Sequence, residues 1–224
     1  PTPSWGNAMS TLPLSPVPDA PKPDRIDPAK QPASPPSPAT SRWVLEGLAG
    51  RLGELSGSGA SSQLSLAFSL VLDAQQRGEP VAWITTHSST FFPPDAAANG
   101  VDLDSLPVVF APDAATAARS AERLGRSGAF GLIVLDLVSV QPEVPSALQS
   151  RLTGLARKHE MAVLCLTRKA PDAASLGALV SLRCQALRQE ENRSFWGRVE
   201  VLKDKRHGPD WSHSEVFDGP GGLR

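Results

Sequence analysis

The chain has 224 residues, of which 40% are hydrophobic and 20% are charged, and its formal net charge is −1. This length accommodates one domain with a tail, and the apolar fraction is sufficient for a core. A nearly neutral chain exerts no overall attraction on DNA or on a membrane surface, so such binding requires a local patch. No apolar stretch approaches the roughly 20 residues that cross a bilayer, and the chain begins with no signal-peptide pattern. We therefore expect a soluble, cytoplasmic protein with no membrane partner.

Proline dominates the amino-terminal segment, since twelve of the 22 prolines lie within residues 1–40. Proline fixes φ and lacks an N–H donor, so this segment is unsuited to helices and to the interior of a sheet. We predict a flexible, extended tail over residues 1–41 and a folded domain over residues 42–224. The alternative is an arm that becomes ordered on a partner. The anchors of such an arm are Trp5, Met9, Leu12 and Leu14.

From residue 42 onward, short apolar runs alternate with helical patterns. The runs "RLGEL" (51–55), "PVAWITT" (80–86) and "PVVF" (107–110) are typical of buried strands. Between the first two runs, apolar side chains recur at i, i+3, i+4 and i+7, which predicts a helix. These side chains are Leu64, Ala67, Phe68 and Val71.

The middle of the chain repeats this alternation. Asp113 is placed as the N-cap of a helix whose one face is mostly alanine. That face consists of Ala114, Ala117, Ala118, Ala121 and Leu124. The run "GLIVLD" (131–136) ends in a carboxylate, a leucine pattern then predicts a helix from about Ser146, and "MAVLCLT" (161–167) follows as another strand.

The alternation predicts an α/β fold with a mostly parallel sheet that is covered on both faces. Beyond residue 179 the pattern changes to three strands with short turns and no helix, which predicts an antiparallel C-terminal extension at the sheet edge. Cys165 and Cys184 both lie in apolar runs. We predict two buried thiols rather than a disulfide or a metal site.

A glycine-rich turn follows the first strand and resembles a degenerate phosphate loop. An intact loop reads G-x-x-x-x-G-K-[ST], where backbone amides bind phosphate, lysine neutralises charge and the hydroxyl binds Mg²⁺. Here Gly57 holds the first position, Ser62 replaces the second glycine, Gln63 the lysine and Leu64 the hydroxyl residue. The small residues Gly59 and Ser61 are retained.

Asp136, at the end of a predicted strand, is the residue that would bind Mg²⁺ in an intact site. The carboxyl ends of parallel strands are where open α/β sheets bind ligands, so the turn and Asp136 belong to the same edge. A helix N-terminus without lysine and metal stabilises an anion by only about 0.3–1 kcal/mol per charge interaction. We therefore predict no cofactor, no bound metal and no catalytic residue. The alternative is that this segment is an ordinary glycine-rich turn that binds no ligand.

Four stretches occur in an order that resembles the RecA family over residues 48–218. They are "GRLGELSGSGASSQLSLAFSLVLDAQQRGEPVAWI", "NGVDLDSLPVV", "RSGAFGLIVLDLV" and "GRVEVLKDKRHGP". The resemblance implies a RecA-like three-layer core. In the family a catalytic glutamate follows the second strand, whereas this chain has "ITTHSS" there, with His87 in about that place. We do not assign His87 as a replacement base, because the lysine and the metal hydroxyl are also absent.

The two DNA-binding loops of recombinases are shortened to "LVSVQPEVP" (137–145) and "RKAPDAASLG" (168–177). With these departures the chain resembles the RecA-like ImuA group, non-recombinase relatives associated with bacterial mutagenesis cassettes. That resemblance implies a role in DNA damage tolerance and the SOS response. The implied partners are the recombinase RecA, an ImuB-like polymerase relative and an error-prone polymerase, and self-association into a homo-oligomer is compatible with it.

Five cations near predicted strand ends are the candidates for DNA or partner binding. They are Arg168, Lys169, Lys203, Lys205 and Arg206. If they lie together they form a modest phosphate-binding patch without base specificity, and the alternative is an ordinary solvated strand edge.

The sequence thus predicts a catalytically inactive RecA-like accessory protein that promotes translesion mutagenesis and modulates or inhibits a recombinase through protein contacts and weak DNA binding. Association with the nucleoid follows from that role. Two alternatives remain: a weak DNA-stimulated NTPase that uses Gly57–Gln63 and Asp136, and a SulA-like inhibitor of cell division.

Overall fold

An eight-stranded sheet forms the centre of the part of the chain that the structure describes. The computed structural model describes residues 42–88, 91–191 and 194–218, so the predicted tail over 1–41 lies outside the described residues. The helices are α1 Leu45–Leu48, α2 Gln63–Gln76, α3 Pro93–Ala98, α4 Ala114–Gly125 and α5 Ser146–His159. The strands are β1 Leu52–Gly57, β2 Val81–Thr86, β3 Val108–Ala111, β4 Leu132–Asp136, β5 Ala162–Arg168, β6 Leu182–Glu191, β7 Ser194–Asp204 and β8 Ser212–Asp218.

The strand order is β3-β2-β4-β5-β1-β6-β7-β8. The first six strands are parallel to one another, and β7 and β8 continue the sheet in antiparallel pairing. Every residue of β1, β2 and β4 is buried, as expected of parallel strands that are covered on both faces. The predicted α/β fold with a parallel sheet and an antiparallel extension is confirmed.

Two apolar layers enclose the sheet. One contains Leu55, Phe68 and Leu164 and includes the buried face of α2. The other contains Ile133 and Cys165 together with the buried faces of α4 and α5. The small side chains of α4 allow this helix to approach the sheet closely, because the predicted alanine face points inward.

The predicted helix cap is also present, since the Asp113 carboxylate accepts a hydrogen bond from Thr116 N at 2.7 Å. The helices α1 and α3 were not predicted. The six residues of α3 bury only Ala96, so they give no apolar stripe in the sequence. Pro93 and Pro94 start this helix, since proline is tolerated in a first turn.

A buried ion pair connects the amino end of β1 to the end of β7. Arg51 lies 2.5 Å from Asp204, and the side chains are 3% and 0% exposed. Burial opposes ionisation of Asp204, but hydrogen bonds from Arg51, from Arg206 N and from Trp211, with the Arg51 charge, hold the pKa of this carboxyl well below its usual range.

Both cysteines are buried and free, as predicted, and burial raises the pKa of each thiol. Within residues 42–88, 91–191 and 194–218, no helix combines the length and the apolar character needed to cross a membrane.

Candidate functional site

The glycine-rich turn between β1 and α2 is packed against itself. Gly59 has φ +60°, in the left-handed region that favours glycine. A Cβ added at Gly57 would overlap the Ser61 hydroxyl and lie 3.0 Å from Gln63 Oε1. Side chains of the same turn therefore fill the space beside the glycine that opens the loop pattern.

Gln63, at the position of the phosphate-loop lysine, is bound to the sheet. Its amide nitrogen donates to Leu55 O of β1 and, at 3.1 Å, to Thr167 O of β5. The side chain is buried, with the residue only 4% exposed. A neutral side chain thus satisfies two strand carbonyls where a phosphate loop places a free positive charge.

Ser62 is likewise bound to the sheet. Its hydroxyl donates to Leu187 O of β6 at 2.6 Å and is buried in that contact. It makes no side-chain cap for α2, which begins at the next residue. The serine that replaces the second loop glycine therefore fixes the turn to a neighbouring strand.

Asp136 ends β4 as predicted and is 1% exposed. Its carboxylate accepts hydrogen bonds from Thr85 Oγ1 at 2.9 Å and from Val138 N at 3.2 Å. It is level with Leu55, two residues before Gly57 on β1, and β5 lies between the two strands. The strand spacing puts the two backbones about 10 Å apart. Asp136 is therefore at the predicted sheet edge, with its oxygens engaged by neighbouring protein groups.

His87, which lies beyond the end of β2, is exposed and stacks on Phe110 of β3. The ring centroids are 6.1 Å apart and the planes differ by 8°. Phe110 is itself 55% exposed on the edge strand of the sheet. His87 is thus held against the edge strand β3, which is three strands away from β5.

The five candidate cations do not meet at one point. Arg168 is opposite Gly57 at the carboxyl end of the parallel strands, whereas Lys203 is opposite Arg183, near the amino end. Three strand spacings and three residues separate them, about 14 Å sideways and about 10 Å along the strands. Because β7 is antiparallel to β6, its last residues return to the opposite end of the sheet from Arg168.

Lys169 forms an ion pair with a fully buried carboxylate. Its ammonium nitrogen is 3.0 Å from Glu54 Oε1, with the two side chains 17% and 0% exposed. The same carboxylate accepts hydrogen bonds from Thr167 Oγ1 at 2.9 Å and Leu176 N at 2.7 Å. Lys169 is thereby part of the internal structure of the segment that follows β5.

Arg183 of β6 strengthens the same segment. It donates to the carbonyl oxygens of Ala170, at 3.1 Å, and Ala173. Together, Glu54, Lys169 and Arg183 form what we call the Glu54 cluster, and the cluster fixes residues 169–176 against the sheet. The segment 168–177, predicted as a shortened DNA-binding loop, is thus held by charged side chains, of which Glu54 and Arg183 are buried.

The remaining lysines lie beside this cluster. Burial lowers the pKa of Lys203, the charges of Lys205 and Arg183 lower it further, and Glu54 opposes them. Lys205 is exposed and donates to Ala178 O at 2.6 Å, and Arg206 donates to Ala49 O at 3.2 Å. Lys203, Lys205 and Arg206 therefore form a local group, with Arg168 apart from it.

Glu54 and Arg183 were not predicted as residues of this site. Glu54 is a charged residue within a buried strand, and buried charges are normally paired, so a partner for it could be expected. Arg183 lies in the strand "LRCQALRQEE", which has several other polar residues, and gives no such signal. The identity of the partners depends on the neighbouring positions of β1, β5 and β6, which are far apart in sequence.

Comparison with known proteins agrees with this architecture. The model of the RecA N-terminal domain family matches residues 45–161, just over half of the chain. The RecA proteins of Fusobacterium nucleatum and Clostridium acetobutylicum are each 39% identical to it over 99 residues, 44% of this chain. The aligned region covers 25% and 27% of these two proteins, about a quarter of each. The chain belongs to the RecA N-terminal domain family.

Proposed function

We propose that this protein is a RecA-like accessory factor that acts by binding and does not hydrolyse ATP. The observation that carries the proposal is the packed turn after β1, where Gln63 is hydrogen-bonded to strand carbonyls and Ser61 fills the space beside Gly57. The turn keeps a glycine with positive φ at Gly59 and has no cation at the lysine position.

Phosphoryl transfer depends on positioned cations and a bound metal, because charge on the transferred group must be neutralised. Here leucine occupies the place of the metal-binding hydroxyl, and the Asp136 oxygens accept hydrogen bonds from Thr85 and Val138. His87 stacks on Phe110 and supplies no carboxylate. These three departures support the absence of turnover.

The resemblance to the ImuA group supports a role in DNA damage tolerance. We propose that the protein promotes translesion mutagenesis in the SOS response and inhibits or modulates RecA. It would work beside an ImuB-like polymerase relative and an error-prone polymerase, in the cytoplasm at the nucleoid. A RecA-like core that does not cycle nucleotide is suited to capping a recombinase filament.

Two measurements on the purified full chain test this proposal: ATP hydrolysis with and without single-stranded DNA, and strand exchange by RecA with this protein added. We expect hydrolysis at background level and slower strand exchange. DNA-stimulated turnover that Asp136→Asn abolishes would make the protein a weak NTPase. Unchanged strand exchange would overturn the recombinase role and favour the SulA-like alternative.

Weak, sequence-independent DNA binding is the second part of the proposal. The group Lys203, Lys205 and Arg206 supports it, with Arg168 as a separate contact. For duplex DNA, log K falls by about 0.9 per neutralised phosphate as log salt rises. Replacing Lys203 and Lys205 together by glutamine should flatten this slope by up to about two units. An unchanged slope would remove these lysines from the DNA contact.

A further inference from the structure

Four arginines line an open groove between α4 and α5. Arg119 and Arg123 are on α4, Arg126 directly follows this helix, and Arg151 is on α5. The groove has a volume of about 500 Å³. Its complete lining is Arg119, Glu122, Arg123, Arg126, Pro145, Leu148 and Arg151.

The arrangement follows from the helical repeat of α4. Arg119, Arg123 and Arg126 are spaced i, i+4 and i+7, so they share one face of the helix. The alanines of α4 occupy the opposite face, against the sheet. Close packing of the alanine face thus directs all three guanidinium groups outward, toward the exposed side of α5.

The groove retains a positive charge after its internal ion pairs are formed. Glu122 lies 2.6 Å from Arg126 and 3.4 Å from Arg151, whose side chains stay 66% and 58% exposed. Among the described residues, Arg119 and Arg123 form no ion pair within 4 Å. Four guanidinium groups against one carboxylate leave a net charge of +3.

Glu122 itself is a fixed anion at the base of the groove. The hydrogen bond from Arg126 lowers the pKa of this carboxyl, partial burial opposes that effect, and the charge of Arg151 lowers it further. Glu122 is therefore ionised near neutral pH, and it holds Arg126 and Arg151 in place from one side.

The chemistry of the lining selects among anions. Guanidinium groups bind carboxylates and phosphates through paired hydrogen bonds. Single-stranded nucleic acid gains much of its affinity from stacking on aromatic side chains, and this groove has none among the described residues that line it. Its volume lies in the range of clefts that enclose a small ligand or a short chain segment, and Pro145 and Leu148 supply an apolar floor.

We propose that this arginine groove binds an acidic, extended segment of a partner protein, with carboxylates on the guanidinium groups and an apolar side chain on Pro145 and Leu148. This goes beyond the proposed function, because it assigns a partner class to a surface remote from the phosphate-loop turn. It is independent of whether the chain hydrolyses ATP.

The proposal is tested by measuring the fluorescence anisotropy of a fluorescein-labelled peptide as the full chain is added. The peptide has about ten residues and is rich in glutamate and leucine. In the control peptide, glutamine replaces every glutamate. We expect only the acidic peptide to bind, more weakly as salt rises. The double variant Arg119→Gln and Arg123→Gln, which we call the groove variant, should weaken binding of the acidic peptide by about tenfold. Glu122→Gln should strengthen it, because the net charge rises and Arg126 and Arg151 are released.

The matched control is Arg157→Gln with Lys158→Gln, which removes two exposed cations of α5 outside the groove and should leave the affinity unchanged. Equal weakening by both double variants, or no binding of the acidic peptide by the native chain, would overturn the proposal. A labelled DNA duplex or oligothymidylate is tested in the same way. The proposal would also be overturned if the DNA bound, the groove variant abolished that binding, and the acidic peptide did not bind. None of these measurements involves a recombinase or ATP hydrolysis, so their failure is distinguishable from failure of the proposed function.

Discussion

Two buried glutamates of this protein lie beside cations, one in the central sheet and one at the base of the arginine groove. Glu54 is fully buried and contacts Lys169, while Arg183 beside it donates to two backbone carbonyls. Glu122 is also buried, at 7% exposure, but it pairs with Arg126 and Arg151, two side chains that remain mostly exposed.

The difference lies in what else the cations contact. In the Glu54 cluster the hydrogen-bonding groups meet backbone atoms of the segment after β5, so the charges determine the shape of a loop. Among the described residues, the arginines of the groove donate to the side chains of Glu122 and Thr116 and to no backbone oxygen, so most of their donors face solvent. The same ion-pair chemistry therefore serves folding in one place and is available for recognition in the other.

The largest expected effect is on the buried side of this comparison. Glu54→Gln should lower the free energy of unfolding by about 3 kcal/mol, because the change leaves Lys169, which is only 17% exposed, without its anion. Urea titration measures this loss. Glu122→Gln is the matched control and should lower the unfolding midpoint less. Equal losses in the two variants would show that both carboxylates are structural.

Asp204 offers a pH-dependent form of the same test. The pKa of this carboxyl is lower in the folded protein than in the unfolded chain. Its contribution to the free energy of unfolding is therefore complete above about pH 4 and is lost as the pH falls below that value. We expect a loss of about 2–3 kcal/mol between pH 5 and strong acid. Asp204→Asn should be less stable at pH 7 and less sensitive to acid. A parallel acid loss in native and variant protein would place the acid sensitivity elsewhere.

A smaller effect is expected in the phosphate-loop turn. Gln63→Ala removes the donor to Leu55 O and Thr167 O and should lower the free energy of unfolding by about 1–3 kcal/mol. Ser58→Ala, in the exposed part of the same turn, should have no measurable effect. If Gln63→Ala is as stable as the native protein, its amide is not a structural link and the turn remains open to a ligand.

The smallest effect on stability is expected in the groove. Arg119→Gln with Arg123→Gln should change the free energy of unfolding by less than about 0.5 kcal/mol, because both side chains are solvated. Arg183→Gln, which loses its contacts to the segment after β5, should cost more. Thermal unfolding distinguishes the two, and a large loss in the groove variant would assign its arginines to folding.

Much of the fold could be predicted from local pattern. The continuous apolar runs predicted β1 to β5, and the alanine face and Asp113 predicted α4 with its cap. The helix α3 gave no signal because its six residues bury one alanine. For the candidate site, the loss of lysine at Gln63 is visible in the sequence, whereas its hydrogen bonds to two adjacent strands are not. The patch of five cations was proposed because all five lie near predicted strand ends. The sequence did not show that β7 carries Lys203 to the opposite end of the sheet from Arg168.

The sequence by itself determined which helix faces are apolar and which carry charge, because a 3.6-residue repeat is a local property. The spacing of Arg119, Arg123 and Arg126 therefore already placed three arginines on one face of α4. Only the tertiary structure placed Arg151 of α5 beside them, and only it separated Arg168 from Lys203. Those outcomes depend on the strand order and on the antiparallel return of β7, which bring together residues that are distant along the chain. Pairing between distant elements decides which charges are satisfied inside the fold and which stay exposed to bind a partner.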